Sequence, residues 1–281
     1  VRFLHGKPLA EKLHEHSRAR RSALAARGVA PRLAVVSVGI DAAASTYLQR
    51  IAVRGKKLDI AVDEIDLSGD TQEGQLVATL ERLGADPRTH GILLLTPLPG
   101  ALDEGHIVDH IVPAKDVEGM NPFNVGLLAD GRPRFVPSTA EAVVELLKFH
   151  GIELRGARAA VVGRSTVIGR PAAYLLLKED ATVTIAHSQT PDVRAVTKEA
   201  SVVVVGVGRV GFLRGDMIAP GATVVDAGIN VSPKGVVGDV DVESVSAVAG
   251  ALSPVPGGVG AVTTELLLRN VLTAAERLQV D

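Results

Sequence analysis

At 281 residues the chain is long enough for two domains, and its 46% hydrophobic content can fill two cores. A net charge of -2 gives no electrostatic reason to expect nucleic acid or an anionic membrane as partner, and the absence of cysteine excludes disulfides, thiol nucleophiles and thiolate metal sites. Apolar runs such as Ile92 to Leu95 are strand-sized, far below the roughly 20 residues of a spanning helix, and Val1 to Lys12 lacks the continuous apolar region of a signal peptide, so a cytoplasmic enzyme or binding protein is expected.

In chain order, Lys7 to Arg27 has helical composition, with Leu9, Leu13 and Leu24 on a charged surface. Leu33 to Val38 is a buried-type strand closed by Gly39. Ala42 to Leu58 follows as a helix that carries Tyr47, Arg50 and Arg54 near one face. A strand over Ala61 to Leu67, a helix over Glu73 to Leu83 and a strand over Gly91 to Leu95 come next, the last stopped by Pro97-Leu98-Pro99. Then come the loop Pro113-Ala114-Lys115-Asp116-Val117-Glu118-Gly119, the proline-bounded Pro133 to Pro137 and a helix over Ala140 to Phe149. Strands over Ala159 to Val162, Ala181 to Ala186, Ser201 to Val205, Thr223 to Val225 and Val236 to Val240 fill the second half, before a long amphipathic helix at the end. Alternation of strand and helix throughout predicts an α/β fold with mostly parallel sheets. The boundary is placed near residue 140. Residues 1–140 and the terminal helix, 262–281, form the substrate domain, and 141–261 a Rossmann-type nucleotide-binding domain, with a cleft between them. The final helix is placed with the first domain, to which it can cross back, although it can also close the nucleotide domain.

The densest chemical signal runs from Arg158 to Pro171, RAAVVGRSTVIGRP. A strand ends at Gly163, and a helix begins at about Ile168, so Gly163 and Gly169 bound a turn at which free helical N–H groups face an anion. After the second strand, His187-Ser188-Gln189-Thr190 stands where a dinucleotide unit that prefers NAD places an acid. Arg164 and Ser188 suit a ribose phosphate instead, which argues for NADP. A second glycine run, Gly206-Val207-Gly208-Arg209-Val210-Gly211, fits GxGxxG, but Phe212 to Asp216 open no helix. It is expected to be a glycine-lined loop over the nucleotide rather than the pyrophosphate turn.

Several blocks together resemble the bifunctional methylenetetrahydrofolate dehydrogenase/cyclohydrolase family, called FolD in bacteria. They are VVGRSTVIGRP, HSQT, VVVVGVGRVGF, VVDAGIN and SPVPGGVGAVT in the second half, and LHGKPLA, VGIDAAASTYL, LLLTPLPG and KDVEGMNPFNVGLL in the first. The resemblance implies oxidation of methylenetetrahydrofolate with NADP, hydrolysis of the methenyl product, and a homodimer formed through the nucleotide domains. It implies cofactor contacts from Gly163, Arg164, Ser165, Ile168 and Gly169, from His187 and Ser188, and from Gly206, Gly208, Ile229 and Thr263. Substrate contacts are implied for Tyr47, Glu118, Pro256, Gly257 and Gly258. Tyr47 matches the tyrosine that stacks on the aminobenzoate ring. The family's lysine four residues later is Ile51 here, its glutamine before the proline turn is Leu95, and an aspartate of its loop is Glu118.

Hydride transfer needs placement of the donor carbon rather than a proton carrier. Hydrolysis needs proton transfers, which Ile51 cannot perform. The expectation is therefore an NADP-dependent dehydrogenase whose cyclohydrolase step is lost or much reduced. A member repurposed for another amine or folate-like substrate, and a non-catalytic protein that binds NADP or folate, are the alternatives. Arg50 and Arg54 are expected on a solvated helix face, Asp116 as a structural turn acid, and Glu265 beside a helix N-terminus or facing the cleft. No histidine, His187 included, has metal-ligand spacing, and no metal is expected.

Overall fold

The structure is a computed structural model that describes residues 1–39, 42–232 and 235–278. Ile40 and Asp41 of the motif before Tyr47, and residues 279–281 of the terminal segment, lie outside the described residues. The chain opens with β1 (Arg2–Phe3) and α1 (Lys7–Ala26), and then alternates β2 (Arg32–Val38), α2 (Ala42–Lys57), β3 (Ala61–Leu67), α3 (Glu73–Ala85) and β4 (Gly91–Leu94). Helices α4 (Glu104–Asp109), α5 (Pro122–Ala129) and α6 (Ser138–Phe149) lead to β5 (Arg158–Val162), α7 (Gly169–Lys178), β6 (Thr182–Ala186), α8 (Val193–Lys198) and β7 (Val202–Val205). β8 (Thr223–Asp226), β9 (Asn230–Ser232), β10 (Gly235–Val237), α9 (Val242–Ser246), β11 (Ala251–Leu252) and α10 (Thr263–Arg277) complete the described elements.

These residues divide into two compact units. One comprises Lys12–Leu127, Pro133–Val136 and the chain from Thr264 onward, and is built on a three-stranded parallel sheet in the order β3-β2-β4. β2 reads Arg-Leu-Ala-Val-Val-Ser-Val and is buried from its second residue on, as a strand covered on both faces must be. β3 lies at the edge, where its acids Asp63, Glu64 and Asp66 keep it soluble and discourage further pairing. One side of the core joins Leu33 and Val35 of β2 to Leu267, Leu268, Val271 and Leu272 of α10. Asn270 of α10 donates to the carbonyls of Val117 (2.9 Å) and Val136 (3.3 Å), so the helix is pinned to the Lys115–Gly119 loop. From Thr264 on, α10 packs within this unit.

The other unit comprises Val1–Glu11, Leu128–Arg132 and Pro137–Thr263, around a six-stranded parallel sheet in the order β1-β11-β8-β7-β5-β6. Two sequence expectations change here. Residues 1–11, expected with the first domain, belong to this unit because β1 pairs in parallel with β11: the Arg2 N–H donates to the Gly250 carbonyl and that of Leu4 to the Leu252 carbonyl, both at 2.9 Å. Val236 to Val240 does not extend the main sheet. Only Gly235–Val237 is strand, paired antiparallel with Asn230–Ser232, and the chain then turns so that the N–H groups of Asp239 and Val240 meet the carboxylate of Asp226 at 3.0 Å. Among the described residues no helix is long and apolar enough to cross a membrane.

Candidate functional site

The strand order marks a candidate site. β5 is flanked by β6 on one side and β7 on the other, so the chain reverses direction across the sheet at β5, and the crevice beyond the carboxyl ends of β5 and β7 is a topological switch point. At this edge Gly163 has a φ of 123°, open to glycine alone, and a Cβ there would strike the Gly206 carbonyl. A Cβ on Gly169 would strike the Gly163 carbonyl, so both glycines are required by close backbone approach. The hydroxyl of Ser165 accepts from the N–H groups of Ile168 (3.1 Å) and Gly169 (3.3 Å), fixing the first turn of α7. Arg164 stays exposed in the turn.

At the end of β6, the His187 N–H donates to the Thr190 hydroxyl (2.9 Å), and Nδ1 of His187 accepts from the Gln189 N–H (3.2 Å), which leaves the ring proton on Nε2. Ser188 is exposed beside it. The Gly206–Gly211 loop opens no α-helix, only a single 3-10 turn at Gly215–Met217, and its N–H groups are already engaged: those of Val207 (2.5 Å), Gly208 (2.9 Å) and Arg209 (2.8 Å) donate to the carboxylate of Asp239. A loop with an internal anion has no N–H groups left at these positions for a pyrophosphate. Ile229 is 65% exposed, whereas Thr263 is buried with its hydroxyl directed to the Gly260 carbonyl (3.4 Å). Gly257 has a φ of 108° and its carbonyl accepts from the Gly6 N–H (2.8 Å), so the Pro256-Gly257-Gly258 turn is laid against the start of the chain.

In the three-stranded unit, Tyr47 and Leu95 pack against a single apolar cluster to which Ile51, Val117 and Phe135 belong. Tyr47, Ile51 and Arg54 follow one another at spacings of four and three on α2, hence on one face. Ile51 has no exposed surface, while Glu118 is half-buried. Asp116 is a structural acid: buried, it accepts from the N–H groups of Met120 (3.1 Å) and Asn121 (2.8 Å) and from the Asn124 amide (2.8 Å). Burial pushes its carboxyl above the usual range, although these bonds pull the other way. The loop's lysine, Lys115, donates to the carbonyls of Gly84 (2.7 Å) and Asp86 (2.8 Å), so it caps the end of α3.

One expectation is corrected. Arg54 is not only on a solvated face: its guanidinium lies 3.2 Å from Glu265. Glu265 stands in the first turn of α10, as a favourable charge should, but it is 1% exposed and also meets Nδ1 of His14 at 3.1 Å. Arg50 remains exposed. Sequence reasoning missed Asp226, Asp239, His14 and Lys115. The one available signal was the pairing of aspartate with glycine in Asp226-Ala227-Gly228 and Gly238-Asp239, since a Cβ on Gly228 would strike the Asp239 carboxylate and one on Gly238 that of Asp226. No group of three or more histidines and acids suited to a metal occurs among the described residues.

Residues 4–118 match the model of the tetrahydrofolate dehydrogenase/cyclohydrolase catalytic domain, and residues 137–279 that of the NAD(P)-binding domain of the same family. The bifunctional protein FolD of Nocardia farcinica is 49% identical over 275 residues, covering 98% of this chain and 97% of its own. The bifunctional enzyme FolD of Campylobacter jejuni, a methylenetetrahydrofolate dehydrogenase/cyclohydrolase, superposes with a TM-score of 0.94 at 38% identity over 98% of each chain. The Trypanosoma brucei methylenetetrahydrofolate dehydrogenase-cyclohydrolase, solved with NADP and an inhibitor, gives 0.93 at 33% identity over 99% of this chain and 97% of its own. With both halves accounted for by one pair of domain models and near-full-length relatives sharing up to half their residues, the chain belongs to the tetrahydrofolate dehydrogenase/cyclohydrolase family.

Proposed function

We propose that this chain is an NADP-dependent methylenetetrahydrofolate dehydrogenase of one-carbon metabolism whose cyclohydrolase step is lost or much reduced. The observation that carries this reading is Ile51, fully buried in the apolar cluster against which Tyr47 and Leu95 pack. Bound NADP supplies a hydride acceptor. The Gly163–Gly169 turn, free of Cβ atoms where its backbone strands meet, fits a pyrophosphate at the start of α7, and Arg164 with Ser188 fits the ribose phosphate. Ser165, Ile168, His187, Gly206, Gly208, Ile229 and Thr263 are assigned to the same cofactor. Tyr47 stacks on the substrate ring, and Glu118 pairs with the pterin edge.

Moving a hydride requires this placement and no proton carrier. Hydrolysis requires a base, worth about 100- to 10,000-fold in rate. Ile51 and Leu95 cannot serve, the Lys115 amine is held by two backbone carbonyls, and the Arg54 guanidinium, which has donors and no acceptor, lies 3.2 Å from Glu265. The apolar character of Ile51 and Leu95 also favours a second reading, an enzyme repurposed for a different amine or folate-like substrate.

Incubation with methylenetetrahydrofolate and NADP, followed by absorbance of NADPH and of the methenyl product separately, tests the first. Methenyl product accumulating above the uncatalysed hydrolysis control is expected; no NADPH despite nucleotide binding moves the choice to the second. Arg164→Ala should weaken NADP about tenfold or more while leaving NAD nearly unchanged, by loss of a charge-assisted contact. Equal losses for both dinucleotides remove the preference for NADP. We also propose a homodimer, supported by the β9–β10 hairpin, where Val231 and Val236 oppose one another across the strands, 75% and 42% exposed.

A further inference from the structure

Asp239 is completely buried, yet no step of the proposed chemistry uses it. Its Oδ2 accepts from the N–H groups of Val207 and Gly208, and its Oδ1 from the Arg209 N–H and the Asn230 amide (2.8 Å). Three successive backbone N–H groups converging on one carboxylate form the kind of concavity that elsewhere binds phosphate. Considerable structure is devoted to keeping the acid there. Asp226 accepts from the N–H groups of Asp239 and Val240, both at 3.0 Å, and Gly228 and Gly238 lack Cβ atoms where these would strike the two carboxylates.

The loop so held borders the phosphate turn directly. The Gly206 N–H donates to the Val162 carbonyl at 3.0 Å, and the Gly206 carbonyl is the atom that a Cβ on Gly163 would meet. Two glycine turns at one edge of a sheet would both attract an anion. We propose that Asp239 is a positioning residue for the dinucleotide: it fills the second turn from within, fixes the Gly206–Gly211 loop against Gly163, and leaves the Gly163–Gly169 turn to receive the cofactor phosphates. The proposal rests on the NADP reading above.

Asp239→Asn in the full chain tests it by calorimetric titration with NADP and by steady-state kinetics. The variant keeps the shape, but its amide turns an N–H toward at least one N–H donor of the loop, so the NADP dissociation constant should rise about tenfold or more. KM for NADP should rise with it, while KM for methylenetetrahydrofolate and kcat stay unchanged. Unaltered NADP affinity with a lowered Tm would make Asp239 purely structural and overturn the proposal, as would a proportional loss of all activity. Wild-type protein that binds no NADP would remove the cofactor reading, and this inference with it, before any variant is compared. Should Asp239→Asn fail to fold, Asn230→Ala decides. It deletes one donor to the same carboxylate, and a few-fold weaker NADP supports the proposal while unchanged affinity overturns it.

Discussion

Asp239 and Glu265 are both buried acids, one in each unit, and they are held by opposite means. Asp239 is surrounded by backbone N–H groups and one amide, so its charge shapes a loop. Glu265 faces two side chains from different helices, the guanidinium of Arg54 on α2 and the imidazole of His14 on α1, so it ties helices together. A carboxylate held mainly by backbone depends on chain geometry, so a change in one neighbouring side chain removes only part of its support; one held by side chains can be released by a single substitution. The same contrast separates the functions proposed for the two units. Nucleotide binding rests on glycines and N–H groups, whereas the chemistry of the other unit rests on which side chains stand at positions 51, 95 and 118.

The largest effect is expected from removing the arginine. Arg54→Ala leaves Glu265, 1% exposed, with His14 alone, and stranding one partner of a buried ion pair costs about 3–5 kcal/mol. Because the Arg54 side chain is itself 41% exposed, the lower end of that range applies. The midpoint of chemical denaturation should fall accordingly, and adding Glu265→Ala should recover much of the loss. A single variant as stable as the parent would mean that Glu265 does not depend on the pair, and the contrast with Asp239 would collapse.

Next comes chemistry. If position 51 alone decides the second activity, Ile51→Lys with Leu95→Gln should raise conversion of methenyl to formyl product by about 100-fold over the parent. The new lysine enters an apolar cluster, so its amine should be easily deprotonated, as a proton carrier needs, at some cost in stability. No gain in a folded variant would show that the surroundings have changed more widely than two residues.

What the sequence disclosed follows the same division. Apolar runs such as β2, the strand–glycine–helix turn at Gly163 and the helical face of α2 are local patterns, and periodicity carries them. The pairing of β1 with β11 joins residues almost the whole chain apart through two-residue strands, which leave no period to detect. Arg54 and Glu265 are likewise far apart in sequence, and each alone resembles an ordinary helix-surface charge. Asp239 was hidden for another reason: a carboxylate satisfied by backbone donors has no partner residue type to search for. Gly228, left open for it, and Gly238, left open for the supporting Asp226, record its presence.

The smallest expected effect concerns Asp226, the acid that supports Asp239. Burial, and then the nearby charge of Asp239, hold its carboxyl above the usual range even though three N–H groups donate to it. The folded chain therefore binds this proton more tightly than the unfolded chain, whose carboxyl titrates near about 3.9. The resulting stabilisation is complete below that value and is lost as pH rises through the folded pKa, so at neutral pH the ionised acid carries a net cost. Asp86 has the opposite sign. Its hydrogen bonds with Arg88 lower it to about 2, and its contribution is present above the unfolded value and disappears as pH falls toward the folded one. Asp226→Asn cannot ionise, and Asp86 is common to both proteins. The denaturation midpoint of the parent relative to the variant should accordingly rise as the pH is lowered from neutrality toward the unfolded carboxyl value. A difference that stays flat over that interval would mean that the N–H groups fully offset burial at Asp226.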